Sequence, residues 1–407
     1  MDIKISHPNG NSEGSLNITG SKSETNRLLL LQALFSGFKL ENISNSDDSQ
    51  LMQQALQSTS NLIDIHHAGT AMRFLTAYFS NMEDREVVLT GSNRMQERPI
   101  KILVDALREL GASIQYLKEE GFPPLRIQGK KLSGGKVMLS GDVSSQYVSA
   151  LLLLGSVLKK GLQIKLIGKT TSVPYINMTL TLLNNFGIQT KFEGEYISVV
   201  PVKIPIIETQ VIESDWSSAS YFFSIVALSK KSEIRLSSYR EKSLQGDAIL
   251  RVIFNDLGVK SHFEGDTLVL NKDSKILPNK VKLDLSKAPD IAQTIAVTCY
   301  GLGVDCDLMG LHTLKIKETD RLEALQVELS KLGASISVTD KSLHLVSNNN
   351  FISNCSIDTY NDHRMAMAFA PLALKIPIQI NASEVVSKSY PDFWDDLKQL
   401  NFQIVNR

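Results

Sequence analysis

Internal repetition constrains this chain more than any local motif, because it fixes what the fold must be built from. The segments RELGASIQYL, NNFGIQTKF, NDLGVKSHF and SKLGASISV each close a helix-like apolar pattern on a glycine and then switch to strand-like alternation. Their glycines, Gly111, Gly187, Gly258 and Gly333, stand 76, 71 and 75 residues apart. A degenerate copy, KQLNFQIV, puts Asn401 in the glycine slot 68 residues after Gly333, and asparagine also tolerates left-handed backbone.

A second segment recurs between these: a polar turn, a helix of small and apolar residues, then a strand. Its copies are SKSETNRLLLLQAL, AGTAMRFLTAYF, SSQYVSALLLLG, SSASYFFSIVAL, PDIAQTIAVTCYG and NDHRMAMAFAPLAL. Marked at Ser23, Gly69, Ser145, Ser218, Asp290 and Asp362, the steps are 46, 76, 73, 72 and 72 residues. Six units follow, the first of them short. The second-segment helices are apolar on nearly every face, so they belong at the centre, covered by the amphipathic helices that end in glycine. Six units of about 70 residues exceed one ordinary core, and two lobes of three units, with a cleft between them, are expected.

If the buried helices run parallel within each lobe, their polar first turns gather where unpaired N–H groups and helix dipoles favour an anion. Ser217 and Ser218 need be no more than helix caps. Capping does not require Lys22, Arg27, His363 or Arg364 in SKSETNR and NDHR. Lys317, Glu318, Asp320 and Arg321 in KETDRL crowd a helix start that needs one cap, Thr319 or Asp320. Arg94 and Arg98 precede Pro99, and a buried arginine there would offer a planar fork to carboxylate or phosphate. KSYPDFW adds Lys388.

Several functions are excluded. In GSLNITGSKS five residues separate Gly14 from Gly20 and a serine precedes Lys22, so the phosphate loop of nucleotide triphosphatases does not fit. Forty-three basic and forty-three acidic residues cancel, so no global field draws the chain to nucleic acid or an anionic membrane. Cys299, Cys306 and Cys355 fit neither a disulfide framework nor paired metal ligands and are expected as small core residues of an intracellular protein. MDIKISHPNGN lacks a signal-peptide pattern and no apolar run reaches about 18 residues, so the expected location is cytoplasmic. A cation cluster repels itself unless it is solvated when empty and neutralised by an anionic ligand, which points to a polyanionic substrate.

GSKSETNR, AGTAMR, RMQERPI, VSSQ, SDWSSASYF, KETDRL, YNDHRMAM and KSYPDFW resemble, in order and along nearly the whole chain, the motifs of the EPSP synthase (3-phosphoshikimate 1-carboxyvinyltransferase) family. The resemblance implies an α/β (α+β) fold of two similar lobes, each of three βαβαββ units with buried parallel helices, the inside-out α/β barrel of the enolpyruvyl transferases. It sets the lobes at residues 22–213 and at 1–21 with 214–407. It implies transfer of the enolpyruvyl group of phosphoenolpyruvate to the 5-hydroxyl of shikimate 3-phosphate through a tetrahedral intermediate, with no cofactor and no metal, in a cytoplasmic monomer.

Carried to matching positions, the resemblance gives Lys22, Ser23, Arg27, Ser144, Ser145, Gln146, Ser172 and Tyr175 to shikimate 3-phosphate, with Asp290, Thr313 and Lys317 at its ring hydroxyls. It gives Lys22, Gly69, Arg94, Gln146, Arg321, Arg364 and Lys388 to phosphoenolpyruvate. Asp290 is the implied base, Lys22 and Glu318 the implied proton donors and intermediate stabilisers, and His363 a support. The chain departs from the pattern at His67, where asparagine is usual, at Phe74, where proline is usual, at Thr313, where asparagine is usual, and at Thr19, where proline is common. The UDP-N-acetylglucosamine carboxyvinyltransferases share the implied fold and donor but usually place a reactive cysteine in the lobe first in sequence, and residues 1–298 contain none. A catalytically silent binding protein would be expected to lack Lys22, Asp290 or Glu318.

Overall fold

The glycine slots behave as the repeat requires: Gly111, Gly187, Gly258 and Gly333 have φ of 100°, 72°, 82° and 100°, and Asn401 has φ 68°. Each stops an amphipathic helix with left-handed backbone and turns the chain into a strand. The computed structural model describes residues 1–407 apart from 36, 142–143, 169–172, 203–208, 348–350 and 354. The chain divides into two units, Gly20–Ile212 and Met1–Thr19 with Glu213–Arg407.

One sheet shows the plan. Lys280–Asp284 pairs in parallel with Asp305–Met309, which pairs antiparallel with Ser342–Val346, and Ser335–Val338 closes the far edge. The parallel pair needs a crossover, and the buried helix Ala292–Leu302 supplies it. The antiparallel pair Ser335–Val338 and Ser342–Val346 follows the amphipathic helix Arg321–Lys331 as a hairpin. The order first, second, fourth, third repeats in four more sheets among the described residues.

Two sheets borrow a strand from a distant part of the sequence. The strand Ile3–Ser6 fills the fourth place of the last sheet, between Ile378–Ile380 and Gln403–Asn406. Among the described residues the short first repeat retains only the parallel pair Lys39–Glu41 and Thr209–Val211. The strand Asn11–Leu16 pairs in parallel with Lys231–Leu236, so one repeat is split by the whole of the other unit.

Within each unit the second-segment helices lie at the core. Trp216–Leu228 buries every residue except Ser217, and His363–Phe369 buries all of its residues. Ridges of Leu, Phe, Ala and Ile leave no polar face, so where these helices touch, small hydroxyls pair instead: Ser220 with Thr294 at 3.0 Å, and Thr298 donating to Ser224 at 2.7 Å. Gly301 lies against Leu228 and Leu372, and a Cβ there would stand 2.6 Å from the first. Cys299 and Cys306 are buried and Cys355 is partly buried.

Candidate active site

In the unit formed by Met1–Thr19 and Glu213–Arg407, three buried-helix starts meet at one guanidinium. Arg364, second residue of the helix His363–Phe369, donates through Nη1 to the backbone oxygen of Asp290 at 3.1 Å and through Nη2 to Ser217 Oγ at 3.3 Å. Its Nη2 also lies 3.5 Å from the Asp290 carboxylate. Asp290 sits in the turn Pro289–Ile291 that leads into Ala292–Leu302, and Ser217 opens Trp216–Leu228. The caps are neighbours: Asp215 accepts from Ser218 N, and Asp362 from Arg364 N.

Arg321, with a side chain 2% exposed, grips three carboxylates. Its Nε donates to Asp362 at 2.7 Å, Nη1 to Asp290 at 2.9 Å and Nη2 to Glu318 at 2.8 Å. Lys317 Nζ lies 3.5 Å from the same Asp290 oxygen. Burial would raise the Asp290 carboxyl, but Lys317, Arg364 and Arg321 outweigh it and hold the group far below the usual carboxylate range. Burial likewise opposes charge on Arg321 and Arg364, and the surrounding carboxylates reverse that, keeping both firmly cationic. Asp320 caps the helix Arg321–Lys331 by accepting from Leu322 and Glu323 N.

His363 is buried with Nδ1 3.8 Å from Asp362. Lys388 ends the turn Ser383–Lys388 and donates to the backbone oxygen of Asn361 at 2.5 Å. Thr313 lies in the turn His312–Ile316, partly buried.

Asp247 joins this group without any motif in the sequence to mark it. It is buried in the turn Gly246–Ile249, which Gln245 ties to the start of Trp216–Leu228 by accepting from Trp216 N at 2.9 Å. Burial, with Asp290 and Asp215 adding to it and Arg364 and Lys317 opposing, pushes the Asp247 carboxyl up to about 7. Asp362, the marker of the sixth repeat, is the fixed anchor for both Arg321 and the last buried helix. Its place immediately before a fully apolar helix was the available signal.

The unit Gly20–Ile212 holds the other candidates. Lys22 opens the helix Lys22–Leu34, and its Nζ is 3.9 Å from Asp48. Among the described residues neither Ser21 nor Ala68 caps its helix through a side chain. Gln146 donates to Thr70 Oγ1 at 3.1 Å, joining the starts of Ser145–Gly155 and Gly69–Ser80. Ser144 caps the former through Gln146 N, Ser145 is buried beside it, and Ser23 is partly buried.

Arg27 is buried and donates to neutral groups: Thr179 Oγ1 at 2.7 Å, Ser23 O at 2.7 Å, Ser149 Oγ at 3.0 Å and Tyr175 O at 3.3 Å. Desolvation pulls its pKa down to about 10, so it remains charged near neutrality. Ser172 lies outside the described residues.

Arg94 differs from the expectation of a buried arginine. It sits in the short helix Asn93–Gln96, 51% exposed, with Nη1 2.9 Å from Glu97. The buried arginine nearby is Arg73, which donates to Gly69 O and Pro99 O, each at 3.1 Å. The family-atypical His67 has its Nδ1 2.9 Å from that of His66, and Phe74 lies under the Arg27 guanidinium at 5.6 Å.

Helix starts that set lysine and arginine against carboxylates, on paired three-repeat units, define an enolpyruvyl-transferase fold equipped for acidic metabolites. The family model for EPSP synthase (3-phosphoshikimate 1-carboxyvinyltransferase) matches residues 53–397. The chain is 46% identical over 397 residues to the 3-phosphoshikimate 1-carboxyvinyltransferase of Bacteroides fragilis, covering 96% of each, and 35% identical over 428 residues to that of Haemophilus influenzae, covering 95% of this chain and 96% of the other. A solved EPSP synthase from Acinetobacter baumannii superposes with a TM-score of 0.81 over the whole of both chains at 21% identity, which is a likeness of fold. The chain belongs to the EPSP synthase family.

Proposed function

We propose that this chain transfers the carboxyvinyl group of phosphoenolpyruvate to the 5-hydroxyl of shikimate 3-phosphate and releases phosphate. The observation that carries the reading is Asp290: one carboxylate, held ionised by Lys317, Arg321 and Arg364, beside a second, Glu318, on the same arginine. Addition requires that the hydroxyl lose its proton as its oxygen bonds to the enol carbon, while the neighbouring methylene gains one and becomes a methyl group. Elimination reverses the methyl protonation and breaks the bond to phosphate. Asp290 accepts the hydroxyl proton; Lys22 and Glu318 handle the methyl proton, with His363 in support.

An Asp290 clamped by three cations is a weak base. When anionic substrates arrive and share Lys317, Arg321 and Arg364, that clamp loosens and the basicity of Asp290 rises at the moment of need. Lys388, Gly69, Arg94 and Gln146 complete the donor ligands. Ser23, Arg27, Ser144, Ser145, Gln146, Ser172, Tyr175 and Thr313 join Lys22, Asp290 and Lys317 around the acceptor. The reading takes both sets of residues to act on one pair of substrates, in a cytoplasmic monomer. Among the described residues no helix is long and apolar enough to cross a membrane.

The test is a coupled phosphate-release assay. Phosphate is expected only when both substrates are supplied, and Lys22→Ala is expected to lose most of the rate. Release from phosphoenolpyruvate alone, or with UDP-N-acetylglucosamine as acceptor, overturns the reading.

A further inference from the structure

Directly before the helix that carries His363 and Arg364, two consecutive residues other than glycine are left-handed: Tyr360 at φ 53° and Asn361 at φ 55°. Asparagine tolerates this conformation, whereas a bulky side chain such as tyrosine rarely adopts it unless its surroundings over-determine it. The kink has two outputs. It presents the Asn361 carbonyl to Lys388 Nζ at 2.5 Å, and it brings Asp362 round to cap Arg364 N at 2.8 Å and to receive Arg321 Nε at 2.7 Å. Asp362 is fixed further by its own N–H, which donates to Thr359 O at 2.7 Å.

What holds the kink is a carboxylate on another element. Glu328, in the helix Arg321–Lys331, is fully buried. It accepts from Tyr360 Oη at 2.6 Å, from Asp358 N at 3.2 Å and from Lys331 Nζ at 2.8 Å. Lys331 closes the set on Asp358 at 2.7 Å, and Asp358 in turn accepts from Asn381 Nδ2 at 2.7 Å. Glu328 is therefore bonded on both sides of Thr359, at the residue before it and the residue after. A buried carboxylate with three donors is a rigid anchor, and the Tyr360 hydroxyl, on a ring 38% exposed, is its hold on the kink.

We infer that Glu328 is a positioning residue for the donor-binding cations: acting through the Tyr360 hydroxyl, it keeps Tyr360 and Asn361 left-handed so that Lys388, Arg321 and Arg364 stand where the substrate anion needs them. The inference rests on the proposed reading of those three cations as phosphoenolpyruvate ligands. None of Glu328, Tyr360 or Asn361 is assigned to contact substrate.

Tyr360→Phe removes the hydroxyl and keeps the ring. It is expected to raise KM for phosphoenolpyruvate about tenfold while kcat and KM for shikimate 3-phosphate change less than about threefold, the pattern of lost uniform binding. Tyr360→Gly separates positioning from packing. Glycine adopts left-handed backbone without an anchor, so this variant is expected to bind donor better than Tyr360→Phe, although it deletes more contacts. Glu328→Gln should match Tyr360→Phe in the same split, with folding of each variant confirmed by circular dichroism. Lys388→Ala is the reference. If it raises KM for phosphoenolpyruvate and Tyr360→Phe does not, or if Tyr360→Gly is the worse of the two position-360 variants, the inference is overturned and the functional reading stands. If Lys388→Ala leaves that KM unchanged, Lys388 is no donor ligand, and the inference falls with that assignment while the transfer reaction is still judged by the phosphate-release assay.

Discussion

Asp247 gives the sharpest quantitative test of the charge balance. Its folded pKa of about 7 stands above the ordinary 3.8, so the folded state holds a proton that the unfolded state has released. Stability from this group is complete below pH 4 and is lost as pH rises toward 7, because there the unfolded chain binds fewer protons. Three units at about 1.36 kcal/mol each give roughly 4 kcal/mol across the window. Asp247→Asn keeps the shape and removes the titration. In urea unfolding, the stability of the asparagine variant relative to the wild type should therefore grow by about 4 kcal/mol between pH 4 and pH 8, flattening above pH 7. Both tryptophans, Trp216 and Trp394, lie in the unit that contains Asp247, so fluorescence follows the right transition. A constant offset is allowed, since an amide is not a carboxylic acid. A difference that does not vary with pH refutes the reasoning.

Further outcomes follow from the glycine positions. Gly111→Ala, at φ 100° with open space around the new methyl, should cost about 1–2 kcal/mol of urea stability through backbone strain alone, whereas Asn401→Gly in the equivalent slot should change it by less than about 0.5 kcal/mol. Gly69→Ala places a Cβ 2.5 Å from Arg98 Nη1, the far end of a side chain that can swing aside. The melting temperature should hold while KM for phosphoenolpyruvate rises, and an unchanged KM removes Gly69 from the donor site.

The six-unit architecture was legible because the repeats carry their own punctuation: a left-handed glycine, or asparagine at 401, at one helix end in five of them, and a polar turn before a largely apolar helix in all six. The sheet partners were not. Nothing in MDIKIS says that Ile3–Ser6 completes the last sheet beside Gln403–Asn406, since strand alternation encodes a face and no partner. Burial of individual polar residues was equally hidden. Glu328 reads as a solvent-facing i,i+3 partner of Lys331, and only the donors from Asp358 and Tyr360 explain its burial. Arg94 and Arg73 show the converse: both sit in family-like motifs, yet the half-exposed one pairs with Glu97 and the buried one ties down backbone carbonyls.

A cluster of cations repels itself unless an anion neutralises it, and that anion need not be a guest. One unit supplies its own. Lys317, Arg321 and Arg364 stand against Asp290, Glu318 and Asp362, with Asp215 also acting on Arg364 and Asp247 neutral below about pH 7. The other unit buries Arg27 and Arg73 on hydroxyls, carbonyls and a thioether, with Glu24 acting on the first and Asp48 on the second, and burial draws both pKa values down to about 10. Built-in carboxylates weaken the first unit's grip on an anion, because substrate must compete with them for each cation. On the proposed reading they also supply what a purely cationic pocket lacks, a proton acceptor whose basicity responds to that same competition. A site meant only to bind phosphate gains nothing from Asp290 between three cations; a site meant to deprotonate a hydroxyl beside a bound anion requires it.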